Sequence, residues 1–315
     1  MTAGEALRTP QEERDVWRHT DLDALLARFR GLSLPTEAGA ARSTADEKID
    51  LTPHAPVAER TIVAARDETA SSGTVIVAPA TQADLALRFV GGGIEKPFFT
   101  FALAEDADLA CSLTLDGVGV QVGTYVFTVA SRARLRLFVG ARRRTLARAE
   151  IFIRLTGTNS RADVTGLLIG ADASHVDLVV TVTHEAERTV SRQTVRSVLD
   201  DTAKGVFIGK VRVRPTAQKT DAQQSSRALL LSKSAHMVAQ PELEIDADDV
   251  VCGHGSAVGA LDDEALFYLR SRGLAEAEAR ALLTRAFLAE AADAIDHDAL
   301  RARAETFLQE SLPHD

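Results

Sequence analysis

The sequence predicts a mainly β protein, a solenoid of stacked strands followed by a helical tail, on three observations. Between Arg60 and Leu261, short β-type runs succeed one another with almost no helical pattern between them. Asp116-Gly117 is the one strong short-hairpin dipeptide in that region, where a sandwich of this size would show several. After Leu261 the apolar period turns helical almost to the end of the chain.

In chain order, Val16, Leu22, Leu25, Leu26 and Phe29 stand at broken helical spacing, with Thr20-Asp21 as a cap, which predicts one short helix. The stretch from Gly31 to Pro56 is rich in Ala, Gly, Ser, Thr and Pro and reads as a linker. Strand runs then fall at Thr61–Ala64, Thr74–Val77, Leu113–Leu115, Gly119–Val122 and Tyr125–Val129. Further runs fall at Glu150–Leu155, Ala162–Ile169, Val176–Thr183, Gln193–Val198, Val206–Val213, Ala228–Leu231, Leu243–Ile245 and Val250–His254. Thr165-Gly166, Ala203-Lys204-Gly205 and Ser256-Ala257 are places where a coil could turn a corner, although no fixed period can be counted. Asp262 or Asp263 caps a first tail helix that Gly273 ends. A second helix runs from Glu276 to about Ile295, and Asp298 caps a third containing Leu300, Phe307 and Leu308. The organisation expected is residues 1–59 as helix and linker, 60–261 as β-helix core, and 262–315 as a helical domain.

Of the 315 residues, 45% are hydrophobic and 26% charged, which suits a folded chain and excludes disorder as the main theme. The net charge of −9 argues against nucleic acid as partner. No apolar run is long enough to span a membrane and the N-terminus lacks a secretion signal, so a cytoplasmic location is expected. Cys111 and Cys252 are too few for a disulfide framework.

Among candidate sites, Cys252-Gly253-His254 places a thiol and an imidazole on one strand face, a pair able to hold a transition metal or part of an iron–sulfur cluster. Two ligands do not complete a site, and packed or hydrogen-bonded side chains are the competing reading. His175, His184 and His236 have no partner at ligand spacing and receive no role. The arginines Arg132, Arg134, Arg136, Arg142, Arg143, Arg144 and Arg148 begin in strict alternation, which reads as the solvated face of a strand. The stretch from Gln218 to Arg227 is either a polar binding strip or an irregular coil. Gly91-Gly92-Gly93 reads as a turn, since no Lys-Ser or Lys-Thr follows it. No nucleophile elbow, P-loop, zinc motif or Cys-x-x-Cys pair occurs, so an enzyme acting alone has little support.

With these residues laid out, Lys219–Leu274 closely resembles the SufB/SufD family of iron–sulfur cluster assembly proteins. The stretches KTDAQ, RALLLS, PELEIDADDV, the C-x-H-G segment, LDDEALFYL and RSRGL resemble SufD in particular, and EERDVWRHTDLDAL looks like the family's short N-terminal motif. Weaker similarity reaches back to about residue 95 and on through the tail. The resemblance implies a right-handed parallel β-helix with a C-terminal helical domain. It further implies a noncatalytic scaffold subunit, SufD-like, pairing with SufB through the last β-helix strands and binding the ABC-type ATPase SufC through its tail. Under it, His254, with Cys252 as neighbour, is a candidate iron or cluster ligand at the SufB interface. Iron or a cluster would pass through the complex transiently, with no cofactor held tightly by this chain alone. Leu266, Phe267, Tyr268, Leu282, Leu283 and Phe287 are the candidate ATPase contacts. SufB-type members carry a sulfur-accepting Cys shortly before the Pro matching Pro241; Ser234–Gln240 holds none, which favours SufD. Two alternatives stay open at this point: a metal-dependent enzyme using Cys252 and His254, and a homodimer that binds iron or clusters.

Overall fold

A computed structural model describes residue 19 and residues 47–51, 58–64, 68–143 and 145–312. Within them the chain winds as a parallel β-helix flattened into two sheets. One sheet orders the odd strands β1 (Glu47–Leu51), β3 (Glu68–Val77), β5 (Ile94–Leu103), β7 (Val120–Val129), β9 (Leu146–Leu155), β11 (His175–His184), β13 (Lys204–Val213) and β15 (His236–Ile245). The other orders the even strands β2 (Ala58–Ala64), β4 (Gln82–Gly91), β6 (Asp108–Gly117), β8 (Arg134–Arg143), β10 (Arg161–Gly170), β12 (Val190–Leu199), β14 (Asp221–Leu230) and β16 (Val251–Gly259). Neighbours in each sheet run parallel, so successive coils stack. The short helix read over residues 22–30 lies outside the described residues. The part of the expected linker at Glu47–Leu51 is strand, so strands begin ahead of residue 60.

Alternation in the sequence decides which side chains enter the coil. In β7, for example, Gln121, Tyr125, Phe127 and Val129 point inward and are fully or nearly fully buried. Equivalent inward positions stack from coil to coil; Phe101 and Phe127 lie face to face with ring centroids 4.1 Å apart. The result is a core of Leu, Val, Ile, Ala and Phe between the sheets.

Corners on one side of the coil are marked by backbone rather than by composition. Ala80, Asp106, Arg132, Asn159, Arg188 and Lys219 all have positive φ, spaced by 26, 26, 27, 29 and 31 residues. Each donates its backbone N–H to a carbonyl of the next corner, as Ala80 does to Glu105 at 3.0 Å and Arg188 does to Gln218 at 2.9 Å. The lengthening coil explains why no fixed period can be read from the sequence. Thr165-Gly166 and Ser256-Ala257, read as corners, sit inside β10 and β16, because small residues there face inward or outward without bending the chain. Gly91-Gly92-Gly93 does lie at the break between β4 and β5. Those two strands carry no run in the sequence reading. The Gln218–Arg227 stretch is mostly strand β14, its amides and hydroxyls turned alternately in and out.

Three helices follow: α1 (Asp263–Ser271), α2 (Glu276–Asp293) and α3 (Asp298–Ser311). Asp262 caps α1 by accepting from the backbone N–H of Glu264 at 2.8 Å, and Gly273, with φ of 98°, ends the turn after it. The cap of α3 is His297, whose Nδ1 accepts from the Leu300 N–H, and not Asp298, which stands in the first turn. Helices α2 and α3 lie on the outer face of the even sheet. Leu288, Ala292, Ile295, Leu300, Phe307 and Leu308 pack there on Ala110, Phe138, Leu167 and Val198. Gly140 makes room for them: a Cβ at that position would fall 2.8 Å from the Phe307 ring.

This packing corrects the reading of the arginines as a solvated face for part of the cluster, while Arg132 stays half-exposed at its corner. Arg136 and Arg142 are mostly covered, Arg142 lies over the Phe307 ring at 5.5 Å, and it pairs with Asp116 at 2.7 Å and with Glu310 of the tail at 2.8 Å. Arg134 likewise reaches Asp296 at 3.0 Å. Arg148 is fully buried and pairs with Asp177 at 2.9 Å and Glu150 at 2.8 Å. Alternation specifies which face a side chain takes, and at Arg134 and Arg142 the tail, 162 and 168 residues away, then covers that face.

Candidate functional site

The coil ends on β15 and β16, each with a single neighbour in its sheet. Strand β16 carries Cys252 and His254 two residues apart, so both share the face of their partners Ala222 and Gln224 on β14. Ala222 and Gln224 are buried inward, which places Cys252 and His254 on the inner face of the last coil. No further coil covers that end among the described residues. His254 is therefore exposed, as are Val251 at 66% and Val258 at 46%.

The two members of the pair differ in environment. Cys252 is half-buried and packs against the apolar end of the core with Val211, Val213 and Ala222. Burial pushes its thiol above the usual range, aided by the nearby Asp221 carboxylate, although the Ala222 backbone acts the other way. His254 has no such cover. Among the described residues no three His, Cys, Asp or Glu side chains converge into a metal site. An ion at this strand must draw at least part of its ligand set from outside them.

Beneath His254 lies a feature that sequence reasoning missed. One inward column runs Leu85, Cys111, Leu137, Val164, Gln193, Gln224, His254 through successive coils of the even sheet. Four apolar positions give way to two glutamines and then the imidazole. Gln193 and Gln224 are only 1% and 4% exposed, and the amide oxygen and nitrogen of both have no hydrogen-bond partner. Ser197 and Ser226 nearby are buried with unpartnered hydroxyls as well. Each such group costs about 1–3 kcal/mol unless something bonds to it, so this polarity is not a product of core packing. The signal in the sequence is the alternation of Ala222, Gln224, Ser226 and Ala228, which puts an amide where other coils place Leu or Val.

Of the histidines left without a role, His184 and His175 are buried and His236 is exposed at the start of β15. His184 is fully buried, with Nδ1 2.8 Å from Thr189 Oγ1 and Nε2 2.9 Å from Ser191 Oγ. Burial pushes its pKa down to about 4, against a small opposing effect of Asp221. His175 lies 2.7 Å from Asp177.

The candidate docking residues divide into two groups. On α1, which buries no residue, Phe267 is 75% and Tyr268 56% exposed, and Leu282 at the same end of α2 is 47% exposed. Leu266 and Leu283 are half-buried. Phe287 instead packs into the cluster on the even sheet, with the Arg196 guanidinium 5.9 Å from its ring centroid.

A cavity of about 220 Å³ between the even sheet and the α2–α3 turn is lined by Arg134, Arg136, Arg161 and Arg192. Carboxylates of Asp163, Asp108, Asp221 and Asp296 match these arginines, so the cavity offers an anion no excess of positive charge.

Comparison with known proteins places these features in company. Residues 60–287 match the family model described as SUF system FeS cluster assembly, SufBD core domain. The chain is 35% identical over 159 residues to the iron–sulfur cluster assembly protein SufD of Escherichia coli, covering 50% of this chain and 38% of that protein. It is 40% identical over 137 residues to an iron–sulfur cluster assembly SufBD family protein of Synechocystis, covering 44% and 30%. It is 33% identical over 135 residues to the SufD protein of Bacillus subtilis, covering 43% and 31%. The matched region thus spans well under half the length of these relatives.

Proposed function

The chain belongs to the SufB/SufD family of iron–sulfur cluster assembly proteins, most like SufD, and from that premise we propose that it is a noncatalytic scaffold subunit. It pairs through β15 and β16 with a SufB-like partner and through α1 and α2 with a SufC-like ABC ATPase. The observation that carries this reading is the open last coil. Strand β16 presents backbone groups without a second strand neighbour among the described residues, and an exposed His254 at a position whose counterparts from β4 to β14 are buried. An unpaired, apolar strand edge favours strand addition by a partner. Iron or a nascent cluster is then the cargo of that interface. His254 offers it a neutral imidazole nitrogen, and the partner supplies the remaining ligands.

The second contact follows from Phe267, Tyr268 and Leu282. All three are exposed, on α1 and in the first half of α2, and α2 is anchored to the β-helix further along through Leu288 and Ala292. ATP-driven movement of two bound ATPase subunits would then pull on α1 and α2 and twist the paired strands. Leu266 and Leu283 are half-buried in the same two helices, whereas Phe287 belongs to the anchoring side.

Co-expression of this chain with its SufB-like and SufC-like neighbours, followed by native mass determination, tests the reading. A complex of this chain with one SufB and two SufC is expected. A chain that pairs only with itself overturns it and leaves the homodimer, and one that stays alone overturns it and leaves the stand-alone metal-dependent protein using Cys252 and His254.

A further inference from the structure

We propose that Gln224, backed by Gln193, is a positioning residue for His254, holding its imidazole in a single tautomer that leaves one defined ring nitrogen bare for a metal ion. For its consequence in assembly this rests on the function proposed above; for its geometry it does not. Gln224 and His254 are register partners on adjacent strands, with side chains on the same inner face. Adjacent strands lie ~4.8 Å apart, within reach of a carboxamide and a ring nitrogen. Both polar atoms of Gln224 are unpartnered although the residue is 96% buried, and those of Gln193 one coil below are unpartnered as well.

A ligating histidine uses the lone pair of one ring nitrogen, and the other nitrogen donates its N–H to an acceptor that holds the ring in place. Gln224 Oε1 is the acceptor that the column provides. The Gln224 amide N–H then donates down the column to Gln193 Oε1, as in the amide ladders formed by stacked parallel strands. One arrangement accounts for three of the four orphaned amide atoms, gives His254 an inner anchor, and points its bare nitrogen outward to the coil edge. No other residue type in the column does this: Leu85, Leu137 and Val164 lack an acceptor, and Cys111 is sealed in the core.

The test is the tautomer of His254 at one pH at which the ring is neutral. It is read from ring nitrogen shifts of the full-length, histidine-labelled chain, with His254→Ala for assignment. In the unsubstituted protein one tautomer is expected in about fivefold or greater excess, the bias a net hydrogen bond produces. Gln224→Leu should abolish that excess, and Gln224→Glu, whose carboxylate still accepts, should retain it. A purely structural glutamine would leave the tautomer ratio alike in all three. An unbiased ratio in the unsubstituted chain, or an unchanged bias in Gln224→Leu, overturns the proposal; if Gln224→Leu does not fold, the unsubstituted chain and Gln224→Glu decide it. The measurement uses neither partner nor iron. It can therefore fail while the complex forms, or succeed while it does not.

Discussion

His184 gives the fold a built-in acid sensitivity whose size follows from its surroundings. It is fully buried, both ring nitrogens lie within hydrogen-bond distance of hydroxyls, and its pKa is pushed from 6.5 down to about 4. Because the unfolded chain takes up the proton first, the contribution of neutral His184 is complete above pH 6.5 and is lost as the pH falls toward 4. A shift of this size corresponds to roughly 3 kcal/mol in full, of which about 2 kcal/mol is lost between about pH 7.5 and about pH 5. Carboxylates also titrate over this range, so the comparison must be with a variant that lacks only the imidazole. Urea unfolding of the unsubstituted chain and of His184→Gln at the two pH values isolates the difference. The unsubstituted chain should lose about 2 kcal/mol more than the variant on acidification. Equal losses in the two would refute the assignment of His184 as a histidine held neutral by burial.

Three further outcomes follow from the packing. Phe307→Ala should destabilise the protein by about 3–5 kcal/mol, since the ring fills the space above Gly140 and packs on Phe138, and proteolysis should then release the tail first. Phe267→Ser combined with Tyr268→Ser should change the unfolding midpoint by less than about 0.5 kcal/mol equivalent and abolish capture of the SufC-like ATPase, because both rings are exposed. Alkylation under native conditions should be slow at Cys252 and absent at Cys111. Burial raises the Cys252 thiol and pushes that of Cys111 up to about 12, so labelling of Cys111 should appear only with unfolding.

Much of the architecture was legible because strand alternation and helix period are local properties. Most of the runs from Thr61 to His254 fall within strands, and the tail separates into helices near the expected positions. Strands β4 and β5 escaped because Gln82–Gly91 and Ile94–Leu103 mix charged, small and apolar residues, and Pro97 stands inside β5. Parallel pairing across neighbouring coils overrides weak local preference there. Corners escaped for a related reason: they depend on φ at Ala80, Arg132 and Lys219, residues that do not announce a left-handed conformation. The candidate pair Cys252 and His254 was visible as a motif, but its division into a packed thiol and an exposed imidazole was not.

By itself, then, the sequence determined the kind of element at most positions, the face each side chain takes within it, and the family motif that runs through the last strand into the first tail helix. The tertiary structure alone decided which outward arginines lie beneath the tail, that Phe287 anchors while Phe267 and Tyr268 stay exposed, and that Gln193, Gln224 and His254 form one column. Alternation is set by the geometry of neighbouring residues, whereas stacking register joins residues about thirty positions apart through coils of unequal length. That length is fixed by the corners, and the corners are held by hydrogen bonds between coils.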